Sequence, residues 1–272
     1  GLGQVQLAEE KMLRHISDTM QLEEQLADAL NTDSLVLYYQ PIVDSARGII
    51  AVEALVRWPH PKRGLLSPAV ILPTAQQAGL VHELDRWVLR TAMAHAVDWP
   101  DTPDGAVQVS VNLDNHTASN AEFLSSINTT LAHSGLDPSR LVLEVTETSL
   151  IEPSPASRTA MGMLIDSGVR FAMDDFGTGY SSLARFKDLP IDSVKLDRQF
   201  IVGIETDEAD RAIVRSAVDM AHATGRRCVA EGVETTIQFN LLNSRGMDAY
   251  QGFLFARPMP NDEFHALLTE RD

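Results

Sequence analysis

Two adjacent carboxylates close an apolar segment beyond the middle of the chain. Residues 169–173 are typical of a buried strand, and Asp174 and Asp175 follow them directly before a turn broken by glycines. Neighbouring residues on a regular strand face opposite sides, but the chain turns at a strand's end, so both carboxylates can face one point. Carboxylates held close together repel each other, and burying them is costly unless a cation or a proton lies between them. The pair is therefore a candidate cation site, with a solvated Asp-Asp turn as the alternative.

A third carboxylate, Glu53, stands in the middle of a strongly apolar segment. This segment runs from Gly48 to Trp58 and is apolar on both faces, which is typical of a strand covered by helices. A buried carboxylate without a partner takes up a proton or destabilises the fold. Glu53 therefore needs a cation, and the sequence leaves two alternatives open: Arg57 in a structural ion pair, or a bound metal ion.

Short apolar segments alternate with helical patterns along the rest of the chain. Eight such strands predict a (β/α)8 barrel of the TIM type, in the α/β class, and 272 residues is a normal length for one barrel. An open doubly wound sheet is the alternative, although no glycine-rich dinucleotide turn opens the chain. The predicted strands are 35–44, 48–58, 106–113, 141–145, 169–174, 192–196, 227–230 and 249–255. The predicted helices are 68–78, 84–97, 124–133, 157–167, 207–223 and 236–244.

Each predicted strand carries a polar residue at or near its end. The carboxyl ends of barrel strands converge on one mouth, so we expect these side chains to meet there, although each taken singly has a structural explanation. Carboxylate and amide oxygens suit hard cations such as Mg2+ or Mn2+, whereas zinc favours His or Cys ligands. The eight histidines do not form a metal-spaced pair. The strand-end residues are Gln40, Glu53, Asn112, Glu144, Asp174 with Asp175, Lys195, Glu231 and Gln251.

The adjacent aspartates allow two metal ions, with Asp174 as the natural bridge. Two hard cations side by side are suited to hydrolysis of a phosphodiester, because one side stabilises the leaving oxygen while the other generates hydroxide. Lys195 would orient the nucleophilic water or neutralise the developing charge. Glu231 would accept the proton of that water or bind the second ion.

The composition narrows the classes of partner. The formal net charge of −16 and the isoelectric point of about 4.8 argue against a broad basic groove for DNA. A phosphate ligand would therefore need metal ions to supply positive charge. The single cysteine, Cys228, excludes an internal disulfide and fits a reducing compartment. No apolar segment reaches membrane-spanning length and no signal-peptide pattern is present, so we expect no membrane contact by this segment.

The first thirty residues differ in character from the rest. Apolar residues recur at helical spacing between Leu13 and Leu30, which predicts an amphipathic helix of the linker or docking kind. The chain begins Gly-Leu-Gly, so we expect it to be a segment of a longer protein. We therefore divide the chain into a linker helix, residues 1–30, and a barrel domain, residues 31–272.

A series of motifs carries a family resemblance. They are, in order, YYQPIVD, EALVRW, SVNL, LEVTET, DDFGTGYSSL, VKLD, AEGVET and YQGFLFARP. Through them the chain resembles the EAL-domain cyclic di-GMP phosphodiesterases of bacterial signalling, whose namesake triplet is here Glu53-Ala54-Leu55. The resemblance covers residues 30 to 270. It implies a barrel whose first strand runs antiparallel to the others, and hydrolysis of cyclic di-GMP to linear pGpG with two Mg2+ or Mn2+ ions.

The resemblance also implies roles for individual residues. The metal ligands would be Glu53, Asn112, Glu144 and Asp174 at the first ion, with Asp174, Asp175 and Glu231 at or near the second. Lys195 matches the catalytic lysine, and the substrate contacts would be Gln40, Arg57, Asp197, Glu234 and Gln251. Glu147 matches a residue that ties down the loop after Asp175, a loop linked in the family to dimerisation and control of activity. A charge at the N-terminus of a helix is the alternative for Glu147.

Three hypotheses for function remain at this point. The intact metal-ligand set favours an active phosphodiesterase over a receptor that binds cyclic di-GMP without cleaving it, and a barrel enzyme acting on another phosphorylated metabolite is the third. The resemblance further implies a homodimer and an upstream sensory or cyclase-like domain. We expect a cytoplasmic location, either independently or as the cytoplasmic part of a membrane-anchored protein.

Overall fold

A computed structural model describes residues 18–103, 105–151, 153–177 and 186–270. Its strands are β1 (Val36–Val43), β2 (Ile49–His60), β3 (Gly64–Leu66), β4 (Gln108–Asn112), β5 (Leu141–Thr146), β6 (Arg170–Phe176), β7 (Ser193–Leu196), β8 (Arg227–Ala230), β9 (Ala249–Gln251) and β10 (Met259–Pro260). Residues 18–31 are helical. Further helices are Pro68–Ala78, Val81–Val97, Asn115–Ala118, Ala121–Ser134, Glu147–Ile151, Pro155–Ser167, Arg198–Val202, Glu208–Ala223, Thr236–Ser244 and Asn261–Thr269, with a 3-10 turn at Pro138–Arg140.

Strand pairing closes the sheet into a barrel. Strands β2, β4, β5, β6, β7, β8 and β9 follow one another as parallel neighbours. β1 pairs antiparallel with β9 and makes a further pairing with β2, which completes the ring of eight strands. The short strands β3 and β10 extend this sheet beside β2 and β1. The predicted (β/α)8 barrel and its antiparallel first strand are both confirmed.

The register of the parallel strands brings predicted site residues side by side. Asn112 on β4 lies opposite Glu144 on β5, and Thr146 on β5 lies opposite Asp174 on β6. Because parallel strands all present their carboxyl ends at the same side of a barrel, polar residues at those ends share one surface. The topology alone therefore positions these side chains for a common site.

Contacts divide the chain into two units. The first comprises residues 18–36 and Val56–Trp87, and the second comprises Leu37–Leu55 and the described residues from Val88 onward. All of the predicted site residues except Arg57 belong to the second unit.

Residues 18–31 form the described part of the predicted N-terminal helix. Leu22, Leu26 and Ala29 are buried, and their spacing places them on one face of the helix. Within the first unit, Gln25 Oε1 lies 3.0 Å from His60 Nε2, in hydrogen-bond contact. Residues 6–17 of the predicted helix lie outside the described residues. The boundary between linker and barrel at residue 30 stays a prediction.

The helices of the second unit begin and end as their sequences dictate. Asn120 accepts hydrogen bonds from the backbone of the helix that it precedes, Ala121–Ser134, and Ser154 does the same for Pro155–Ser167. Both helices end at a glycine in the left-handed conformation, where a residue with a Cβ would be strained. These caps set where each helix stops and the next barrel strand begins.

The predicted boundaries fail mainly near the C-terminus. The strand predicted over 249–255 ends at Gln251, because the chain turns after it and Leu254 N donates to the carbonyl oxygen of Val233. A Cβ at Gly252 would lie 2.1 Å from that oxygen, so glycine permits the close approach of the two backbones. The helix Asn261–Thr269 was not predicted. Among the described residues, every helix is too short or too polar to span a lipid bilayer.

Phe264 anchors this last helix, and its loss should destabilise the protein. Its ring is fully buried, with its centroid 5.9 Å from that of Tyr39 and 5.0 Å from that of Trp99. We expect Phe264→Ala to lower the free energy of unfolding by about 3–5 kcal/mol, because it leaves a cavity among large rings. Denaturant unfolding measures the change, with the exposed Met163→Ala as the matched control. A loss under about 1 kcal/mol would contradict this packing.

Candidate active site

A cavity opens among the segments that follow the barrel strands of the second unit. Its volume is about 280 Å3. The described residues that line it are Gln40, Glu53, Leu55, Asp174, Arg198, Glu231, Gly232, Glu234, Gln251, Gly252 and Phe253. Six of these were predicted as site residues, so the expected convergence at one mouth takes place for them: Gln40, Glu53, Asp174, Glu231, Glu234 and Gln251.

Lys195 forms the centre of a buried ionic cluster. Its side chain is 2% exposed, and Nζ lies 2.6 Å from Glu231 Oε1 and 2.7 Å from Glu144 Oε2. Carboxylate oxygens of Glu53 and Asp174 both lie 3.8 Å from the same nitrogen. The Lys195 ammonium is therefore shielded from solvent. Four carboxylates, each from a different strand or the residue that follows it, surround this one ammonium.

Glu53 is held by amide groups as well as by this ammonium. Asn112 Nδ2 donates to Glu53 Oε1 and Gln251 Nε2 donates to Glu53 Oε2, each at 2.6 Å. Gln251 Nε2 also lies 3.1 Å from Gln40 Oε1. The network links β1, β2, β4 and β9, so the orientation of the Glu53 carboxylate is set from several strands at once.

These contacts answer the question of how the protein satisfies Glu53. The carboxylate accepts hydrogen bonds from Asn112 and Gln251 and lies near Lys195, and a bound metal ion stays a prediction for it. Arg57 belongs to the first unit, where its Nη1 donates to the carbonyl oxygen of Val56 at 2.9 Å.

The two aspartates occupy an irregularity at the end of β6. The pairing of β6 with β7 shifts register between Met173 and Phe176, and Asp175 adopts a left-handed backbone with φ of 54°. Asp175 N donates to Asp174 Oδ1 at 3.0 Å. The strand continues past both aspartates to Phe176, and the predicted turn with its glycines lies largely outside the described residues. Asp174 faces the cavity and is half-buried, whereas Asp175 is exposed.

The electrostatics of the cluster follow from burial and crowding. Burial raises the pKa of Glu144 well above its usual value and raises the pKa of Glu231 to about 7, against the opposing effect of Lys195. Burial alone would lower the pKa of Lys195, but the surrounding carboxylates, led by Asp174, raise it well above its usual value. Lys195 is therefore charged at neutral pH, and the raised pKa of Glu144 relieves part of the repulsion among the four carboxylates, because this glutamate holds a proton more readily than an ordinary one.

A comparison with known protein families identifies the family of this chain. The family model of the EAL domain matches residues 23–258. The chain belongs to the EAL-domain family. The bifunctional diguanylate cyclase/cyclic di-GMP phosphodiesterase MucR of Pseudomonas aeruginosa is 39% identical over 95% of the chain, and the cyclic di-GMP phosphodiesterase NbdA of the same organism is 37% identical over 96%. The chain spans only 38% of MucR and 33% of NbdA.

A solved structure of a relative supports the same assignment. The MucR phosphodiesterase in complex with cyclic di-GMP superposes on this EAL domain with a TM-score of 0.84 at 40% identity. The match covers 90% of this chain and 99% of the MucR chain in that structure. The predicted family is thereby confirmed.

The donor set of this EAL domain is chemically suited to hard cations. Among the described residues, no three His, Cys, Asp or Glu side chains are arranged around a metal-sized position, because the carboxylate oxygens turn toward Lys195. Glu144 Oε1 is nevertheless buried and accepts no hydrogen bond from any described residue. A proton or a cation satisfies a buried carboxylate oxygen of this kind. The residues therefore fit a divalent metal ion, and their roles as ligands stay predictions.

Glu147 and Asp197 are not among the described residues that line the EAL cavity, whereas Glu234 is one of them. Glu147 begins the helix Glu147–Ile151 and is buried, and neither of its carboxylate oxygens has a hydrogen-bond partner among the described residues. The loop that it is predicted to hold, after Asp175, lies largely outside the described residues. Asp197 caps the helix Arg198–Val202 by accepting from Gln199 N at 2.8 Å. Glu234 lines the cavity.

Five of the described lining residues were not predicted, and Arg198 and Phe253 have the largest side chains among them. Arg198 directly follows Asp197 beyond the end of β7, and Phe253 comes two residues after Gln251. Phe253 is 48% exposed, and the guanidinium of Arg257 lies 4.2 Å from its ring centroid. Their positions just after barrel strands are the signal that could have identified both, since such loops build the mouth of a barrel.

Proposed function

We propose that this EAL domain hydrolyses cyclic di-GMP to linear pGpG. The proposal is supported by two relatives named as cyclic di-GMP phosphodiesterases and by the MucR complex with cyclic di-GMP. The observation that carries it is the buried Lys195, paired with Glu144 and with Glu231, which lines an acidic cavity. Burying a charged lysine carries a desolvation cost in free energy, and a module that only binds the dinucleotide does not need a lysine at this position.

Divalent metal ions belong to this proposal, because EAL phosphodiesterases generally depend on them. We propose two ions, Mg2+ or Mn2+. The residues that would hold them are Glu53, Asn112, Glu144, Asp174, Asp175 and Glu231. Asn112 donates to Glu53 through its nitrogen, which leaves its amide oxygen as the ligand atom. When bound, such a pair of ions stabilises the leaving oxygen of the phosphodiester and activates the attacking water.

The side chains of the chain itself supply orientation and proton transfer. Lys195 would donate a hydrogen bond to the attacking water or to a phosphate oxygen, and its position is fixed by two short ion pairs. Glu231 would accept the proton of the water or, as the alternative, bind the second ion.

Substrate binding at the mouth forms the next part of the proposal. Gln40, Gln251 and Glu234 line the cavity and would contact the dinucleotide directly. Arg57 and Asp197 are proposed as contacts on the family resemblance alone, as is the role of Glu147 in holding the loop after Asp175.

A homodimer, an upstream domain and a cytoplasmic location are also proposed on the family resemblance alone. The mass of the purified domain in solution tests whether it forms a homodimer.

The decisive experiment measures turnover directly. We expect the protein to convert cyclic di-GMP to pGpG in Mg2+ or Mn2+, as followed by chromatography, and to lose this activity in excess EDTA. Restoring the divalent ion should restore the rate, which excludes irreversible loss of the fold as the cause. Binding of cyclic di-GMP with no product under any of these conditions would overturn the proposal in favour of a receptor.

A further inference from the structure

Arg198 contributes a positive charge to an otherwise acidic cavity wall. The charged residues beside it in the lining are Glu53, Asp174, Glu231 and Glu234, so Arg198 is the sole cation among the described lining residues. Its side chain is 59% exposed, at the start of the helix Arg198–Val202. Lys195, by contrast, is buried, and it is not among the described lining residues. Arg198 is therefore accessible to the part of a ligand that lies at the mouth.

Glu234 and Gly232 fix the position of the Arg198 guanidinium. Arg198 Nη2 donates to Glu234 Oε1 at 2.7 Å. The aliphatic part of the side chain lies against Gly232, where an added Cβ would fall 2.3 Å from Arg198 Cγ. The side chain is thus held between the segments that follow β7 and β8. This restraint lowers the entropy that Arg198 would lose on contacting a ligand.

The remaining donors of Arg198 point to the chemistry of that ligand. A guanidinium has five N–H groups, and among the described residues one of these engages an acceptor and four do not. Glu234 already offsets the positive charge, which weakens any general attraction of anions. A planar donor fork of fixed orientation is suited to a neutral edge with two adjacent acceptors. Guanine has such an edge in O6 and N7, whereas adenine places an amino donor beside N7.

We propose that Arg198, oriented by Glu234, binds the O6 and N7 edge of one guanine base of the dinucleotide. The inference rests on the proposed function, because it assumes that cyclic di-GMP occupies the cavity. It assigns to Arg198 a role in recognising the base, separate from the cleavage chemistry around Lys195. Contact of Arg198 with the uncleaved phosphate is the competing outcome of the test.

The test compares cyclic di-GMP with its 7-deazaguanine analogue, which has the same phosphates but lacks the N7 acceptors. We expect Arg198→Ala to raise the Kd and KM for cyclic di-GMP by about 5- to 150-fold, the range for a bidentate contact to a base, with kcat unchanged. The wild-type protein should bind the analogue more weakly than cyclic di-GMP, and Arg198→Ala should bind the two equally. Arg198→Lys should behave like Arg198→Ala, since an ammonium lacks the planar fork.

Controls separate this inference from the proposed function. Arg215→Ala removes another exposed, ion-paired arginine that lies outside the cavity lining, and should change neither constant. Glu234→Gln should weaken binding less than Arg198→Ala. Three results would each overturn the role of Arg198 while hydrolysis persists. They are an Arg198→Ala variant that loses the same affinity for cyclic di-GMP and for the analogue, an Arg198→Lys variant with wild-type affinity, and an Arg198→Ala variant with an unchanged Kd for cyclic di-GMP. Failure of the wild-type protein to bind or cleave cyclic di-GMP would instead overturn the proposed function.

Discussion

Replacing Lys195 by methionine should reduce kcat for cyclic di-GMP by about 100- to 1,000-fold, the usual effect of removing one preorganised electrostatic group. Methionine retains most of the length and apolar volume of lysine but has no charge. The variant would lack the ammonium that lies 2.6 Å from Glu231 and 2.7 Å from Glu144. Because the Lys195 side chain is buried and is not among the described lining residues, we expect the substitution to lower kcat rather than to raise KM. Steady-state measurement of pGpG formation gives both constants.

The Lys195→Met variant needs a control for folding and one for surface charge. Removing one partner of a buried ion pair is destabilising by about 3–5 kcal/mol, so thermal unfolding must show that the variant is folded at the assay temperature. Lys187→Met removes a lysine with an exposed side chain and should leave the rate unchanged. Wild-type kcat with a raised KM in Lys195→Met would mean that this lysine binds substrate without assisting its cleavage.

The sequence predicted the location of the site because barrel topology converts position along a strand into position in space. Glu144 and Lys195 lie on strands β5 and β7, yet their charged atoms are 2.7 Å apart. In the sequence, each of these residues is the polar side chain at or near the end of an apolar segment, and this position indicates a site residue. Once eight strands were recognised, their convergence followed from the fold.

The partners within the site were beyond the reach of sequence patterns. Glu53 is held by Asn112 and Gln251, which are 59 and 198 residues away along the chain, whereas the sequence suggested the nearby Arg57. Local spacing indicates which side chains can meet on one element, but hydrogen bonds between elements depend on register and side-chain rotamer. The pairing of Arg198 with Glu234 was missed for the same reason, since both lie in segments beyond strand ends.

The turn at the two aspartates shows a different kind of failure. The sequence predicted that the chain turns at Asp174 and Asp175, and the structure has a register shift there. It did not predict that the strand resumes for one more residue, because a bulge and a strand end have the same local signature of polar residues followed by glycine. The positive φ of Asp175 separates the two aspartates, so Asp174 faces the cavity while Asp175 is exposed.

Replacing Glu53 by glutamine should weaken Mn2+ binding and turnover together. The two Glu53 oxygens accept hydrogen bonds from Asn112 and Gln251, and this carboxylate is one of four that surround Lys195. Glutamine keeps the shape but removes the charge and one of the two acceptors. Loss of a residue that merely orients a metal ligand lowers metal affinity by about 10- to 100-fold, so loss of a ligand should cost at least as much. Calorimetric titration with Mn2+ measures this without reference to activity.

The outcome of Glu53→Gln also distinguishes a metal ligand from a structural acid. If Glu53 served only to pair with Lys195, the substitution would reduce stability and leave the affinity for Mn2+ unchanged. If it is a ligand, affinity falls even where thermal unfolding shows an intact fold, and raising the Mn2+ concentration recovers part of the rate. Glu263→Gln, an exposed glutamate on the last helix, is the matched control for loss of one negative charge. Wild-type Mn2+ affinity in Glu53→Gln would contradict the role of Glu53 as a metal ligand. The proposed site would then lose its central member, because among the described residues Glu53 is the predicted ligand that is hydrogen-bonded to both Asn112 and Gln251.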